Sequence, residues 1–210
     1  MRLHFFAELP DAMLEVQPTL NNVLSEDIAL IGFAAMFGGD PTVANVEGEP
    51  FMTFGRGEGV PVIRDLENPF GCNVYAQAYE DDAIIVSRGG CTFFDKLFNA
   101  MAAGASGAIV ISDSDTPLNP TAEVAEIASA GAGINEVALV VVTQSDGQLL
   151  QTLMEAAENV GGRMWLAVEP HVGDPVTESD TNKGKAGGAS EPPRLLYING
   201  HPLLNTRLLV

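Results

Sequence analysis

The sequence predicts a mixed α/β fold, and three observations predict it. Short apolar runs alternate with turns from about Val43 to Ala167. Two longer stretches within that region repeat their apolar residues at helical spacing. Their order is strand, helix, strand, loop, strand, helix, strand, which is the pattern of a mixed α/β domain.

Each element follows from its residues. LHFFAEL, near the N-terminus, carries β-propensity, and residues 21–27 read as a loop. The apolar run Ile28 to Phe37 ends at the breaker cluster Gly38-Gly39-Asp40-Pro41. A strand or a short buried helix fits that run, and periodicity does not decide between them. Pro61-Val62-Ile63 is a short apolar segment between glycines and an acidic loop, Asn73 to Tyr79 reads as a strand, and Ala83 to Ser87 as a buried strand broken by Arg88-Gly89-Gly90. Thr92 to Gly104 is the strongest helix, with Phe94, Leu97, Phe98 and Met101 on one face. Thr92 serves as N-cap, Asp95 stands at the third helical position and Gly104 is the stop. Ala108 to Ile111 and Val137 to Val142 are buried strands. Between them lies a loop rich in Ser, Ala, Gly and Pro, with a short helix around Ala122 to Ala128. Ser145 caps a second helix, Asp146 to Glu158, whose buried side is Leu149, Leu150, Leu153 and Met154. Gly161-Gly162 ends it, and Met164 to Val168 is a last strand.

Residues Gly173 to Pro193 are low in complexity and read as a linker. RLLYINGHPLLNTRLLV beyond it is too apolar for a free tail. Asn199-Gly200 marks a hairpin or strand pair expected to pack back on the body. The organisation is therefore an N-terminal extension at 1–43, a central module at 44–168, a linker at 169–193 and a returning segment at 194–210.

Ten basic residues against 28 acidic ones give a net charge of −18. Such a surface repels a phosphate backbone and an anionic bilayer, so nucleic-acid binding and membrane docking are not expected. No apolar run approaches the roughly 18 to 20 residues that span a bilayer. With 46% hydrophobic residues the chain can still build a sizeable core.

The usual catalytic signatures are missing: there is no His-Glu-x-x-His, no Gly-x-Ser-x-Gly and no Walker glycine loop. His4, His171 and His201 lie at the two ends of the chain, away from both cysteines. Gly55-Arg56-Gly57-Glu58-Gly59 precedes Pro61 rather than a helix, so it reads as a turn, not a phosphate loop. Acidic groups such as Glu80-Asp81-Asp82, Asp113 with Asp115, and Glu47 with Glu49 could hold calcium or act as a carboxylate pair. At this net charge they read first as solvated loops. No cofactor or metal is expected. Cys72 and Cys91 fit neither a redox Cys-x-x-Cys nor a zinc clip, which leaves two reduced thiols or one disulfide. A disulfide would imply an oxidising compartment, and the absent signal peptide would then point to a piece of a longer secreted chain.

The run Ile84-Ile85-Val86-Ser87-Arg88-Gly89-Gly90-Cys91-Thr92-Phe93-Phe94-Asp95-Lys96 closely resembles the signature of the protease-associated (PA) domain. The resemblance continues in order through Phe54-Gly55, Phe70-Gly71-Cys72, Asn99-Ala100, Ala103 to Ile111 and Val141 to Leu150, covering roughly 44–168. It implies an α+β fold, a β-sandwich or barrel with flanking helices, and a non-catalytic module of secretory or vacuolar proteins. It also implies that Cys72 and Cys91 are bridged. PA domains accompany peptidases, sorting receptors, ubiquitin ligases and family 47 mannosidase-like proteins of endoplasmic-reticulum quality control. The flanks of this chain look most like those of the fungal members of that last group.

Three functions follow as expectations. The first is a module that binds a polypeptide or glycoprotein substrate for an attached catalytic domain, in the endoplasmic-reticulum lumen. Here the Arg88-Gly89-Gly90 turn would be the binding loop: Arg88 offers a bidentate fork and the glycines open the backbone. The bland alternative pairs Arg88 with a local acid. The same module in a secreted or vacuolar peptidase or sorting receptor would bind peptide. The second is a docking domain for its own catalytic domain or for a partner such as an oxidoreductase, using the terminal segment with Phe33, Met36 and Phe37, unless those residues close its own core. The third, an enzyme in its own right, is not expected.

Overall fold

Residues with alternating apolar side chains open the chain, and they form a strand, β1 (Arg2–Glu8), with Leu3 and Phe5 wholly buried. The computed structural model describes residues 1–10, 27–41, 51–52, 55–56, 59–80, 82–168, 197–198 and 201–202. The chain divides into two units, Met1–Pro170 and His171–Val210.

The run whose type the sequence left open is strand as far as Ala34, broken once: β2 (Ile28–Ile31) and β3 (Phe33–Ala34) are separated by Gly32 alone, and residues 35–37 leave the strand. A short pair follows, β4 (Phe51–Met52) with β5 (Gly55–Arg56), and then β6 (Val60–Arg64). Next come β7 (Ala83–Ser87), helix α1 (Phe93–Ala102), β8 (Gly107–Ile111), α2 (Val124–Ala130), a 3-10 turn (Ala132–Glu136), β9 (Ala138–Val142), α3 (Gln144–Asn159) and β10 (Arg163–Val168).

Eight of these strands make one mixed sheet in the order β2-β1-β10-β6-β7-β8-β9-β3. Strands β6 to β9 run parallel; the others pair antiparallel. β2 and β3 occupy opposite edges, yet one residue joins them and can span only about 7 Å. The sheet therefore curls round into a nearly closed barrel, the α+β architecture expected. Gly32 is the seam. A Cβ there would stand 2.6 Å from Val140 Cγ1 on β9 and 2.7 Å from Leu3 Cδ1 on β1. Its N–H donates to the Met1 carbonyl at 3.1 Å.

Strands β7, β8 and β9 are buried on both faces, as helices on both sides require. Ala83 and Ile85 of β7 join Leu3, Phe5 and Leu166 in a cluster closed by Leu150, Leu153 and Met154 of α3. Ile84 and Val86 turn the other way, onto Phe94, Leu97 and Ala100 of α1 and Ile134 of the 3-10 turn. Helix α3 lies very close to β8. A Cβ on Gly147 would fall 2.3 Å from Ile111 Cγ2, which is why a glycine stands inside this helix.

Four local expectations need correction. Asn73 to Tyr79 is a bent loop rather than a strand. The cap of α3 is Thr143, whose Oγ1 accepts from Asp146 N at 3.2 Å, and Ser145 lies in the first turn. Leu149 is 45% exposed, because it sits one position off the buried stripe. Phe98 also leaves the buried face of α1, stacking on Phe94 with ring centroids 6.0 Å apart.

In the second unit, β11 (Tyr197–Ile198) and β12 (His201–Pro202) pair antiparallel. The expected linker at 169–193 and the packing of the terminal segment on the body lie outside the described residues.

Candidate functional site

Two loops meet at the carboxyl end of β7. One is 88–91, which carries the chain from β7 into α1; the other is 68–72, which precedes the bent segment. Helix α1 starts sharply because Thr92 Oγ1 accepts from Asp95 N at 3.0 Å, while Asp95 Oδ2 accepts from Thr92 N at 3.1 Å. Gly89 and Gly90 have φ of 101° and 80°, a left-handed pair that favours glycine. A Cβ on Gly90 would also strike Cys72 Sγ at 2.9 Å.

Cys72 and Cys91 are joined by a disulfide with Cα atoms 5.6 Å apart. Three polar links reinforce this staple. Ser87 N donates to the Pro69 carbonyl at 2.8 Å, and Asn99 Nδ2 donates to the Gly71 carbonyl at 2.9 Å. Lys96, only 1% exposed, reaches from α1 between the loops; its Nζ donates to the carbonyls of Phe70 and of Gly89, the latter at 2.7 Å. Burial pushes the Lys96 ammonium down to about 8, with neighbouring Asp95 opposing the shift.

The outer part of the 65–79 segment is organised by Asp65. Its carboxylate accepts from the backbone N–H groups of Glu67 and Asn68, and from the Tyr79 hydroxyl at 2.8 Å. Burial pushes this carboxyl up, but the three hydrogen bonds outweigh it and hold it below the usual value. Asn68 is buried and bonded to the Asn73 backbone, and Tyr75 meets Tyr79 edge to face. Burial raises the Tyr75 hydroxyl, which has no hydrogen-bond partner among the described residues. With its backbone thus tied, the segment turns Leu66, Phe70 and Val74 outward, at 79%, 45% and 81% exposure.

Arg88, singled out in the sequence for its bidentate fork, is engaged. Its Nη1 donates to Asp113 Oδ1 at 2.6 Å, and the guanidinium lies 6.0 Å from the centre of the Phe93 ring. The local-acid alternative therefore describes Arg88 in this structure. Asp113 and Asp115 do not act as a pair. Asp115 accepts from the N–H and hydroxyl of Ser145 at the start of α3, and those bonds lower its carboxyl. Among the described residues no three His, Cys, Asp or Glu side chains converge as a metal site. Phe37 is buried against Phe94 and closes the core, Phe33 is part-buried in β3, and Met36 is 76% exposed. His4 lies on β1, its ring bonded to Asp27. No helix among the described residues is long and apolar enough to cross a membrane.

Sequence reasoning missed Lys96 as the clamp and Phe70 as the outward side chain. Lys96 was visible in the helix pattern: with Asp95 in the first turn, a lysine one residue before Leu97 lies next to the buried stripe.

A family model described as the PA domain matches residues 56–150. No curated protein matches the sequence. Among solved structures, an aminopeptidase from Aneurinibacillus sp. strain AM-1 is similar over 79% of this chain and 30% of its own, at 18% identity and TM-score 0.44. BSAP, a zinc aminopeptidase from Bacillus subtilis, is similar over the same shares at 19% identity and TM-score 0.41. The chain thus spans less than a third of the length of either enzyme. The mannosidase-like context suggested by the flanking segments finds no support in these comparisons.

Proposed function

From the match of residues 56–150 to the PA-domain family model, we propose that this chain is a non-catalytic recognition module, binding extended polypeptide for a domain attached to it. The observation that carries the reading is the rim itself. Two loops are cross-linked by a disulfide and a buried lysine; one of them presents Phe70, and the residues flanking it present Leu66 and Val74, to solvent on an otherwise strongly acidic protein. Apolar side chains on a backbone already held in place bind with little ordering cost. The charge of −18 selects neutral or basic, apolar segments over acidic ones. Such a ligand is the chemistry of an unfolded chain. The disulfide fits an oxidising compartment. A place in an endoplasmic-reticulum mannosidase-like parent rests on the flanking resemblance alone.

Anisotropy titration with reduced, carbamidomethylated lysozyme, a basic and permanently unfolded polypeptide, tests the reading. Saturable binding that weakens at least fivefold in Phe70→Ala is expected. No binding by the native chain, or binding unchanged in Phe70→Ala, would overturn it.

A further inference from the structure

The Lys96 ammonium has three N–H groups. Two go to the carbonyls of Phe70 and Gly89, and Nζ stands 3.7 Å from Cys72 Sγ and 3.7 Å from Cys91 Sγ. Among the described residues no carboxylate pairs with it: Asp95 is taken up by Thr92. A buried cation without a counter-ion is costly, and the neutral sulfurs of a disulfide do little to offset that cost. A thiolate in the same place would offset it directly. Cys91 also lies just ahead of the N-terminus of α1, where negative charge is favoured.

We propose that the Cys72–Cys91 bridge is a reducible site, with Lys96 the built-in cation that receives the thiolate when the bridge opens. The co-reactant is a dithiol reductant. Its thiolate attacks one sulfur of the bridge and forms a mixed disulfide. The S–S bonding pair leaves on the other sulfur as a thiolate beside Lys96. The second thiol of the reductant, deprotonated, then attacks the mixed disulfide, releases the remaining cysteine and departs as a cyclic disulfide. Two electrons pass to the protein, and the protons lost by the reductant go to solvent and to the released thiol. Lys96 keeps its two carbonyl bonds throughout, so the rim stays docked after reduction. The proposal does not depend on what the rim binds.

The titratable and charged groups around Lys96 are Asp95 on its own helix, the Arg88–Asp113 pair beside Gly89, and Tyr75 beneath Gly71. The test is the pH dependence of iodoacetamide alkylation of the reduced full-length chain, read by intact mass, in native buffer and in urea. The native rate midpoint is expected at least one unit below the midpoint in urea, which falls near the free-cysteine value of about 8.5. Lys96→Gln retains two N–H donors for the carbonyls and removes the charge; it should raise the native midpoint by about one unit. In a glutathione redox buffer the same variant should hold its disulfide about tenfold more strongly, or about 30 mV for a two-electron couple. A native midpoint at or above that in urea overturns the proposal. So does a folded Lys96→Gln with an unchanged midpoint, which would assign the effect to the helix terminus. Lys96→Met is the replacement variant if Lys96→Gln fails to fold.

Discussion

The barrel seam and the stapled rim both hold together parts of the chain that would otherwise spring apart, but they do so by different physics. At the seam, Gly32 brings opposite edges of one sheet together through close packing, with Leu3 and Val140 pressed against its bare Cα, and through hydrogen bonds to Met1. At the rim, loops 68–72 and 88–91 have little core of their own and rely on a covalent bond and a buried cation. Packing of that kind acts on the folded state and tolerates no added atom. A cross-link acts chiefly on the unfolded chain, leaving the outward side chains free for other use. Three of the eight exposed large apolar side chains among the described residues, Leu66, Phe70 and Val74, stand on the segment that the bridge ties down.

The largest expected effect comes from removing the cross-link. Replacing both cysteines with serine should cost about 3 kcal/mol, from the chain-entropy value for a loop of this size, measured by urea denaturation under non-reducing conditions. A loss below about 1 kcal/mol would mean that Lys96 and Asn99 hold the loops without the bridge. At the seam, Gly32→Ala should cost about 1–3 kcal/mol by overpacking a site whose neighbours are fully buried. A neutral result would show that the two edges are not held as closely as the structure places them.

How much of this was legible in the sequence differs between the same two regions. The rim was largely readable, because Arg88-Gly89-Gly90-Cys91 and the cap Thr92 are local signals with a defined order. The seam was not. Ile28 to Phe37 gave no period that separates strand from helix, and nothing local says that Ile31 and Phe33 belong to opposite edges of a sheet. Asn73 to Tyr79 was misread because its apolar residues suit a strand, whereas Asn68, Tyr75 and Tyr79 fold it into a loop through side-chain contacts. Arg88 was recognisable as special, but its partner Asp113 is 25 residues away and meets it only when β7 and β8 lie side by side.

Lys96 sharpens the comparison through pH. Its folded value is depressed to about 8 from 10.5. Between those values the unfolded chain binds more protons than the folded one, so stability rises with pH across that window. Below about 8 the cost of burying the ammonium is constant. Urea midpoints at pH 7.5 and 9.5 should therefore rise in the native protein relative to Lys96→Met. Tyr75 and Tyr79, whose hydroxyls are raised, reverse the trend only above pH 10. A flat difference between the two proteins would remove Lys96 from the account of the rim.

The smallest effect is expected at Arg88→Ala. The Arg88–Asp113 pair is exposed at both ends, and such pairs contribute about 0–1 kcal/mol. A loss well beyond that range would make Arg88 part of the rim's framework rather than a surface pair.

The central claim is that the rim, rather than any exposed apolar side chain, engages polypeptide. Phe70 on the rim and Leu149 on α3 are both 45% exposed, which makes them a matched pair. A photo-crosslinking amino acid placed at position 70 or at position 149, irradiated with reduced, carbamidomethylated lysozyme, separates location from exposure. Crosslinks at 70 with background at 149 are the predicted result; equal yields at both positions would contradict it.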